Sequence, residues 1–331
     1  MNDVTSYQLK TISEYVRFAE GLPTELAAVK VYLGYDASSD PALSPHNMQI
    51  LFQEIRDHAD LWKETIATRA REQLRELSIT AVKVVKNGSG LLRGLKALGS
   101  VEKILNTVGN ASISPDVFNG SNVTLDEATM THLNQLKPYV DTLQSTTLDS
   151  LGDTHATNQL IADFRSKTAV LEARVAGQVT NLKSDHDDQL GKEKTVEPVI
   201  DAFREACARI VAQFGEGSEV AVAIQQQVDN TLAELTSREP ELRDQQRLTY
   251  AVGRLFVHLQ SLGYSMLGVQ SELTHLWFAS SSACSKLAYA TAELESVTTE
   301  KNLLEFYISY EEVLRNWTSV RQEASDLYNL F

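Results

Sequence analysis

Residues 196–235 read VEPVIDAFREACARIVAQF, then GEGSE, then VAVAIQQQVDNTLAEL. The runs on either side of GEGSE place apolar side chains at helical spacing and turn charged or amide side chains to other faces, which is typical of amphipathic helices. Gly215 and Gly217 let the chain reverse between the two runs. The stretch therefore predicts a helical hairpin. Its apolar positions are Val199, Phe203, Cys207, Ile210, Val211 and Phe214 in the first arm and Val220, Val222, Ile224 and Val228 in the second.

The length of the hairpin allows two interpretations. Each arm has about 17–20 residues, or roughly 25–30 Å at the helical rise, which is close to the hydrocarbon thickness of a bilayer. In a ring of subunits the arms would turn an apolar face to lipid and a polar face to a water-filled pore. Folded against its own chain, the same hairpin would be an ordinary part of a soluble bundle.

The charge balance argues against nucleic-acid binding. The chain has 331 residues, 43% of them hydrophobic, and a formal net charge of −14, whereas a general nucleic-acid binder needs a basic surface. Its two cysteines, Cys207 and Cys284, are too few for a disulfide framework or a four-ligand metal site, and both are expected to be small buried hydrophobes. We expect no cofactor.

The sequence predicts an all-α protein with very long helices. Helical periodicity fills the spaces between prolines, and no alternating strand pattern extends beyond a few residues. No strict heptad repeat persists, which favours a multi-helix bundle over a coiled coil. We expect glycines to loosen the third helix after Lys86, and we expect breaks in the fourth near Pro138 and Gly152. The predicted helices cover 4–19, 24–33, 46–108, 125–190, 241–296 and 299–330.

Two further segments stand out. Leu77–Val108 is locally basic, and its cations Lys83, Lys86, Arg93, Lys96 and Lys103 predict either contact with a membrane or acidic partner or a solvated face of the bundle. Leu255–Ser285 carries one formal charge, Glu272. It would be either a membrane segment or, as we favour, a central helix covered on all sides by its neighbours.

No residue is a candidate for catalysis or metal binding. HExxH, Walker, GxSxG and paired CxxC motifs are all missing from the sequence, so we expect a protein that is not an enzyme. The cluster from Asp185 to Asp188 has ligand-type atoms, but consecutive helical residues diverge around the axis and cannot converge on one ion. His58, between Asp57 and Asp60, is likewise expected on a solvated face.

The order of these parts resembles the helical pore-forming toxins of the cytolysin A superfamily, and within it the B component of the binary xenorhabdolysin-type cytotoxins. The resemblance covers essentially the whole chain and is architectural, without a diagnostic short motif. It implies an elongated tail and neck bundle of about five helices, formed by residues 1–190 and 241–331. Residues 191–240 would form a head with the helical hairpin. The hairpin here is only amphipathic and holds Arg204 and Arg209, whereas partner A components carry a distinctly hydrophobic head segment.

The resemblance also implies a mechanism. A soluble monomer would meet a second toxin subunit, the A component, at a target-cell lipid membrane, swing out the hairpin and assemble into a hetero-oligomeric lytic ring. The hinges would be Gly191, Pro198, Ser237 and Pro240, with Gly215 and Gly217 at the tip. The N-terminus has no secretory leader, so export would use another route before action at the host membrane. Two alternatives stay open: a subunit of a related tripartite toxin, and a soluble helical scaffold or adaptor.

Overall fold

The chain is all-α, as predicted, in the computed structural model, which describes residues 2–34, 41–97, 101–102, 123–187 and 244–331 and the single positions 205, 223, 226, 227 and 230. A 3₁₀ turn, Pro41–Leu43, precedes the helix Pro45–Asp60. A π-helical turn, Leu61–Ile66, joins that helix to the next one, Ala67–Lys96. The α-helices within these ranges are α1 (Asn2–Glu20), α2 (Leu26–Leu33), α3 (Pro45–Asp60), α4 (Ala67–Lys96), α5 (Glu127–Asp187), α6 (Asp244–Ser296) and α7 (Glu300–Leu330).

Local capping fixes where several helices begin and end. Ser44 accepts a hydrogen bond from the Asn47 backbone N–H at 3.3 Å, and Pro45 occupies the first turn of α3. The Thr299 hydroxyl accepts in the same way at the start of α7. At the other end of a helix, Gly34 closes α2 with a φ of 76°, a left-handed conformation that glycine adopts without steric cost.

The breaks predicted in α5 are wrong, because one uninterrupted helix runs through both Pro138 and Gly152. Proline removes a backbone donor, but Pro138 and Asn134, whose carbonyl loses that donor, are both exposed and accessible to water. A glycine costs a helix only about 1 kcal/mol, and the buried side chains on either side of Gly152 offset that cost. The packing of the whole helix therefore overrides two local breakers.

The loosening predicted after Lys86 is also wrong as far as the described residues extend. Helix α4 continues through Gly88, Gly90 and Gly94 to Lys96. At Gly88 the absence of a side chain has a packing reason. A Cβ there would collide with Leu314 Cδ2 and lie 3.1 Å from Tyr310 Cε1. The glycine thus lets α4 approach α7 closely, and Gly90 lies on the open side of the same helix.

The chain divides into two compact units, of which the first comprises Met1–Arg69 and Asn158–Leu273. Residues 248–270 of α6 form its centre, since none of them is exposed. Helix α1 packs on this segment, with the Phe18 ring stacked on His258 at 3.9 Å. Helix α5 binds its end, where the Asn158 side chain donates to the Leu273 carbonyl at 3.2 Å. The covered central helix predicted for Leu255–Ser285 is confirmed for residues 255–270. It is wrong for residues 271–285, where one face of the helix is exposed and Phe278 is 60% accessible.

The second unit comprises Ala70–Thr157 and Thr274–Asn329. Its core contains the fully buried Trp317, Tyr310 and Phe306 of α7. Cys284 of α6 is a buried free thiol that donates to the Thr147 carbonyl of α5, with a sulfur-to-oxygen distance of 3.6 Å. The predicted role of Cys284 as a small buried residue is therefore confirmed, whereas Cys207 lies outside the described residues.

Alanine substitutions at Gly88 and Gly90 should change stability in opposite directions. In a helix, alanine is favoured over glycine by roughly 0.5–1 kcal/mol. At Gly90, with no other group within 4 Å, Gly90→Ala should raise the free energy of unfolding by about that amount. Gly88→Ala forces a methyl group against Leu314 and Tyr310, and overpacking of this kind costs about 1–3 kcal/mol.

Urea denaturation of the two variants and the wild type tests this contrast. We expect the order of stability to be Gly90→Ala, wild type, Gly88→Ala. A Gly88→Ala variant as stable as Gly90→Ala would show that α4 and α7 do not pack as closely as the structure has them.

Candidate membrane-contacting surfaces

The predicted hairpin lies almost wholly outside the described residues. Of its positions, Glu205 in the first arm and Ala223, Gln226, Gln227 and Asn230 in the second are described, and each is helical and exposed. In the second arm these positions recur at spacings that place them on one helical face. Outside the description are the apolar positions Val199, Phe203, Cys207, Ile210, Val211, Phe214, Val220, Val222, Ile224 and Val228, the tip Gly215 and Gly217, and the hinges Gly191, Pro198, Ser237 and Pro240.

The basic segment forms one exposed face of α4. Lys83, Lys86, Arg93 and Lys96 are all exposed, and we call them the basic face. From Ser78 to Lys96 the helix contains no acidic residue. The buried side of the same stretch is apolar, so the cations follow from an ordinary amphipathic pattern. Its buried positions include Ala81, Val84, Leu91, Leu92 and Leu95.

The four cations of the basic face are not equivalent. The Lys96 ammonium lies over the Tyr307 ring of α7, 5.4 Å from its centroid, in a cation–π contact. Over the ranges described above, no ion pair involves Lys83, Lys86 or Arg93. Lys96 thus binds its own protein, and three cations remain to attract an external anionic surface. The sequence alone could not distinguish Lys96 from the other three cations, because its partner Tyr307 lies more than two hundred residues away along the chain.

The prediction that His58 faces solvent is wrong. Its imidazole is 5% exposed and packs between α1 and α5. The Tyr15 hydroxyl hydrogen-bonds to Nδ1 at 2.8 Å, and Nε2 donates to the Phe164 carbonyl at 3.3 Å. Burial, reinforced by the positive charge of Lys167, lowers the pKa of His58 to about 4, despite the opposing effect of the Phe164 carbonyl.

A signal for this burial exists in the sequence. His58 continues the apolar series Leu51, Ile55 and Trp62 at spacings of three and four residues, so it lies on the buried stripe of its helix. Asp57 is exposed and Asp60 is half-buried, and the charges of these two neighbours led to the wrong prediction of a solvated face. Periodicity was thus a better guide to His58 than the charge of its neighbours.

A groove of about 470 Å³ opens beside His58 between α3 and α5. Its floor is apolar and its rim is charged, but both nitrogens of His58 are already hydrogen-bonded within the core. It therefore presents no free imidazole for acid–base chemistry. Residues around His58 in the groove are Glu54, Asp57, Leu61, Ser166, Lys167, Val170 and Leu171.

The described residues offer neither a metal site nor a membrane-spanning helix. They contain no group of three or more His, Cys, Asp or Glu side chains placed to hold a metal ion. Nor do they contain a helix with a stretch both long and apolar enough to cross a bilayer.

The chain is thus an all-α protein of long helices with an amphipathic hairpin sequence between two of them. No protein-family model matches it. No curated protein matches it either. The solved structures described next are at most 18% identical to this chain, with TM-scores below 0.5, so they do not assign it to a family.

Several solved structures are similar over nearly the whole chain. XaxA from Xenorhabdus nematophila is 18% identical, with 98% of this chain and 96% of that chain covered and a TM-score of 0.44. YaxA from Yersinia enterocolitica is also 18% identical, with the same coverages and a TM-score of 0.43. The SmhB pore of a tripartite α-pore-forming toxin from Serratia marcescens is 12% identical, with 95% and 99% covered and a TM-score of 0.45.

Acid should destabilise the protein through His58. An unfolded histidine has a pKa near 6.5, whereas that of folded His58 is about 4. Between these values the unfolded chain binds a proton that the folded chain does not, so the free energy of unfolding falls as the pH falls from 6.5 to 4. The loss attributable to His58 should be about 3 kcal/mol.

Urea denaturation at several pH values, compared between the wild type and His58→Gln, measures this contribution. The variant should show a shallower pH dependence over that window, whatever its absolute stability. His155→Gln removes an exposed imidazole and is the control. Equal slopes for the wild type and His58→Gln would mean that His58 is not held neutral.

Proposed function

We propose that this chain is a subunit of a multi-component α-helical pore-forming toxin that acts with a second subunit on target-cell membranes. The observation that carries the proposal is the position of the amphipathic sequence 196–236 between two very long helices, α5 of 61 residues and α6 of 53. Helices of this length can support a hairpin of bilayer-spanning length at their ends. The resemblance in the order of parts supports the same function.

The charges of the hairpin decide how it would enter a membrane. Burying a valine, isoleucine or phenylalanine side chain in lipid gains about 1.5–3 kcal/mol. An arginine at the bilayer centre costs about 2.5–3.5 kcal/mol even on the more lenient scales. Arg204 and Arg209 would therefore face pore water or a partner subunit, whereas Ile210 and Phe214 meet lipid. A single hairpin cannot satisfy both faces, and a ring of subunits can.

The basic face of α4 would supply the first attraction to the membrane. The net charge of −14 repels an anionic surface, but the interaction is screened beyond a Debye length of about 8–10 Å. At shorter range each lysine or arginine near an anionic surface gains about 1 kcal/mol. Lys83, Lys86 and Arg93 together would gain about 3 kcal/mol, which is enough to orient the chain and too little to anchor it.

The later steps are conformational. The hairpin would turn about Gly191 and Pro198 on one side and Ser237 and Pro240 on the other, with Gly215 and Gly217 leading into the membrane. The second subunit would carry a more hydrophobic head and complete the hetero-oligomeric ring. The identification as the B component of a binary toxin rests on the amphipathic character of the hairpin, and a subunit of a tripartite toxin is the nearest alternative.

Charge reversal on the basic face should weaken binding to anionic vesicles. Lys83→Glu/Lys86→Glu replaces attraction with repulsion at two exposed positions, so the affinity should fall at least tenfold, by about 1 kcal/mol for each charge. The control is Arg71→Glu/Arg75→Glu, which changes the net charge equally on an exposed part of α4 that already contains Glu72 and Glu76. Cosedimentation with vesicles of stated anionic content measures both. Equal losses would exclude a specific role for the basic face.

Charged substitution in the apolar face of the hairpin should abolish lysis. Ile210→Asp or Val222→Asp places a carboxylate where lipid or a partner is expected, at a cost of several kcal/mol. Gln225→Asp, on the polar side of the second arm, is the matched control and should remain active. Dye release from vesicles and haemolysis are measured with the chain alone and mixed with the product of an adjacent gene.

The same assay separates a toxin subunit from a helical scaffold. A scaffold should leave vesicles intact in every mixture. Undiminished lysis by a folded Ile210→Asp variant would contradict the role of the hairpin, and the circular dichroism spectrum of each variant verifies its fold.

A further inference from the structure

Two histidines from different helices hold the last turns of α1. The Tyr15 hydroxyl hydrogen-bonds to Nδ1 of His58 on α3 at 2.8 Å. Phe18 lies three residues further along α1, on the same side of the helix, and its ring stacks on His258 of α6 with the centroids 3.9 Å apart. All four residues belong to the first unit. The C-terminal part of α1 is therefore attached through two side chains that can change their charge.

The surroundings of His58 accept the neutral imidazole. With its hydrogen on Nε2, the ring donates to the Phe164 carbonyl at 3.3 Å and accepts from Tyr15 on Nδ1. A second proton would occupy Nδ1, so the Tyr15 hydroxyl would have to turn and donate to the Ile55 carbonyl, 3.3 Å away. The positive charge would then be buried in a ring that stacks on Phe164 and is 5% exposed. Protonation therefore favours a state in which the ring reaches water.

The charges around His58 do not compensate for a second proton. Burial is the main reason that the pKa of His58 is lowered to about 4, and the positive charge of Lys167 on α5 adds to the effect. Two carboxylates of α3 line the groove beside the ring. Glu54 is already paired with Arg174, and Asp57 is exposed to water, which screens its charge. The neutral form therefore stays favoured as long as α1 covers the ring.

His258 is likewise kept neutral by its surroundings on α6. Arg254, one turn before it, places its guanidinium over the same Phe18 ring, 5.2 Å from the centroid. From α5, the Glu172 carboxylate lies against Gly263. Gly263 is five residues beyond His258 and roughly 140° around the helix, so this carboxylate faces another side of α6. Burial, reinforced by the positive charge of Arg254, lowers the pKa of His258 to about 3.

The acidic side chains near the end of α1 are paired with other residues. Glu14 forms an ion pair with Lys10 at 3.7 Å, and Glu20 forms one with Lys63 at 2.5 Å. Arg17, between the two aromatic contacts, is exposed and adds a positive charge. Protonated histidines would therefore place like charges against this end of α1, which weakens its attachment.

Part of the remaining contact surface of α1 is polar. Thr5, Gln8 and Thr11 are all buried. Oε1 of Gln8 accepts no hydrogen bond from the described residues, and it would gain one from water if the helix left. Beyond the helix, Leu22 is 2% exposed and anchors the chain. Helix α1 could therefore turn about Gly21 while α2 keeps its place.

We propose that α1 is an acid-released helix, which leaves the first unit when His58 and His258 take up protons, while Leu22 and the helices after it stay in place. The release is a property of the free chain and is independent of pore formation.

Proton linkage sets the size of the effect. An exposed histidine has a pKa near 6.5, and both histidines have lower values while α1 is attached. Lowering the pH from 7.5 to 5 should therefore raise the ratio of released to attached α1 by about 25-fold for each histidine. Aspartate and glutamate stay ionised over most of this window, so the histidines dominate the change.

Hydrogen exchange measured by mass spectrometry at pH 7.5 and 5, with and without a low concentration of urea, tests the release. After correction for the intrinsic exchange rate at each pH, the amides of α1 should lose at least about 25-fold in protection in acid. Their exchange should depend little on urea, because opening one helix exposes little surface. Residues 255–266 of α6 should exchange more slowly than α1 at both pH values. Equal protection and equal urea dependence of the two segments would overturn the proposal, since α1 would then leave only when the whole unit unfolds.

Histidine variants test the trigger. In His58→Gln/His258→Gln the protection of α1 should be the same at both pH values, whatever its level, and each single variant should keep about 25-fold of the change. His46→Gln removes an exposed histidine at the start of α3 and is the matched control, which should retain the whole change. A pH dependence that survives in the double variant would overturn the role of the two histidines. A wild type without any pH dependence would overturn the release itself.

Discussion

The burial of residues 248–270 of α6 on every side is the constraint on which the first unit depends. No side chain in this segment is exposed, and the other helices are arranged to cover it. Helix α1 approaches closely enough that Gly268 lies against the Gln8 side chain. The guanidinium of Arg254 rests over the Phe18 ring, 5.2 Å from its centroid. Each fully buried aliphatic or aromatic side chain contributes about 1.5–3 kcal/mol, and this segment contains several, such as Val257, Leu262 and Met266.

The same helix changes character along its length. Beyond Ser271 one face opens to solvent, and the exposed positions recur at regular intervals until the helix ends. A sequence with one formal charge between Leu255 and Ser285 therefore forms a core in one unit and a surface in the other. In the proposed function this division would let one part of the chain move while another stays folded. The hairpin could leave its place while the buried segment keeps the first unit folded.

The existence and approximate bounds of the helices could be predicted because hydrophobic periodicity persists over many turns. The predictions that failed were those drawn from local helix breakers and from the charges of neighbouring residues. Pro138 was expected to interrupt α5, but its exposure lets water replace the lost hydrogen bond. Gly88 was expected to loosen α4, but it lies against Tyr310 and Leu314, whose positions no local pattern reveals. His58 was assigned to solvent from its acidic neighbours, although its partners Tyr15 and Phe164 come from distant parts of the chain.

Of the candidate surfaces, the basic face was predicted most completely, since charge and helical spacing together fix which side chains share a face. The engagement of Lys96 with Tyr307 was beyond the sequence, because it depends on how α7 packs. The hairpin remains a prediction from pattern and resemblance. Its described positions, such as Gln227 and Asn230, are helical and exposed, in agreement with the polar side of an amphipathic arm.

The central claim is that the apolar face of the hairpin moves from the protein into lipid. An environment-sensitive fluorophore attached at Ile210→Cys, with Cys207 replaced by serine, tests it during vesicle leakage driven by the chain and its partner subunit. The account predicts a blue shift and quenching by lipid-embedded quenchers, whereas the same label at Gln225→Cys should stay in a polar environment. Leakage without any change at position 210 would contradict the account.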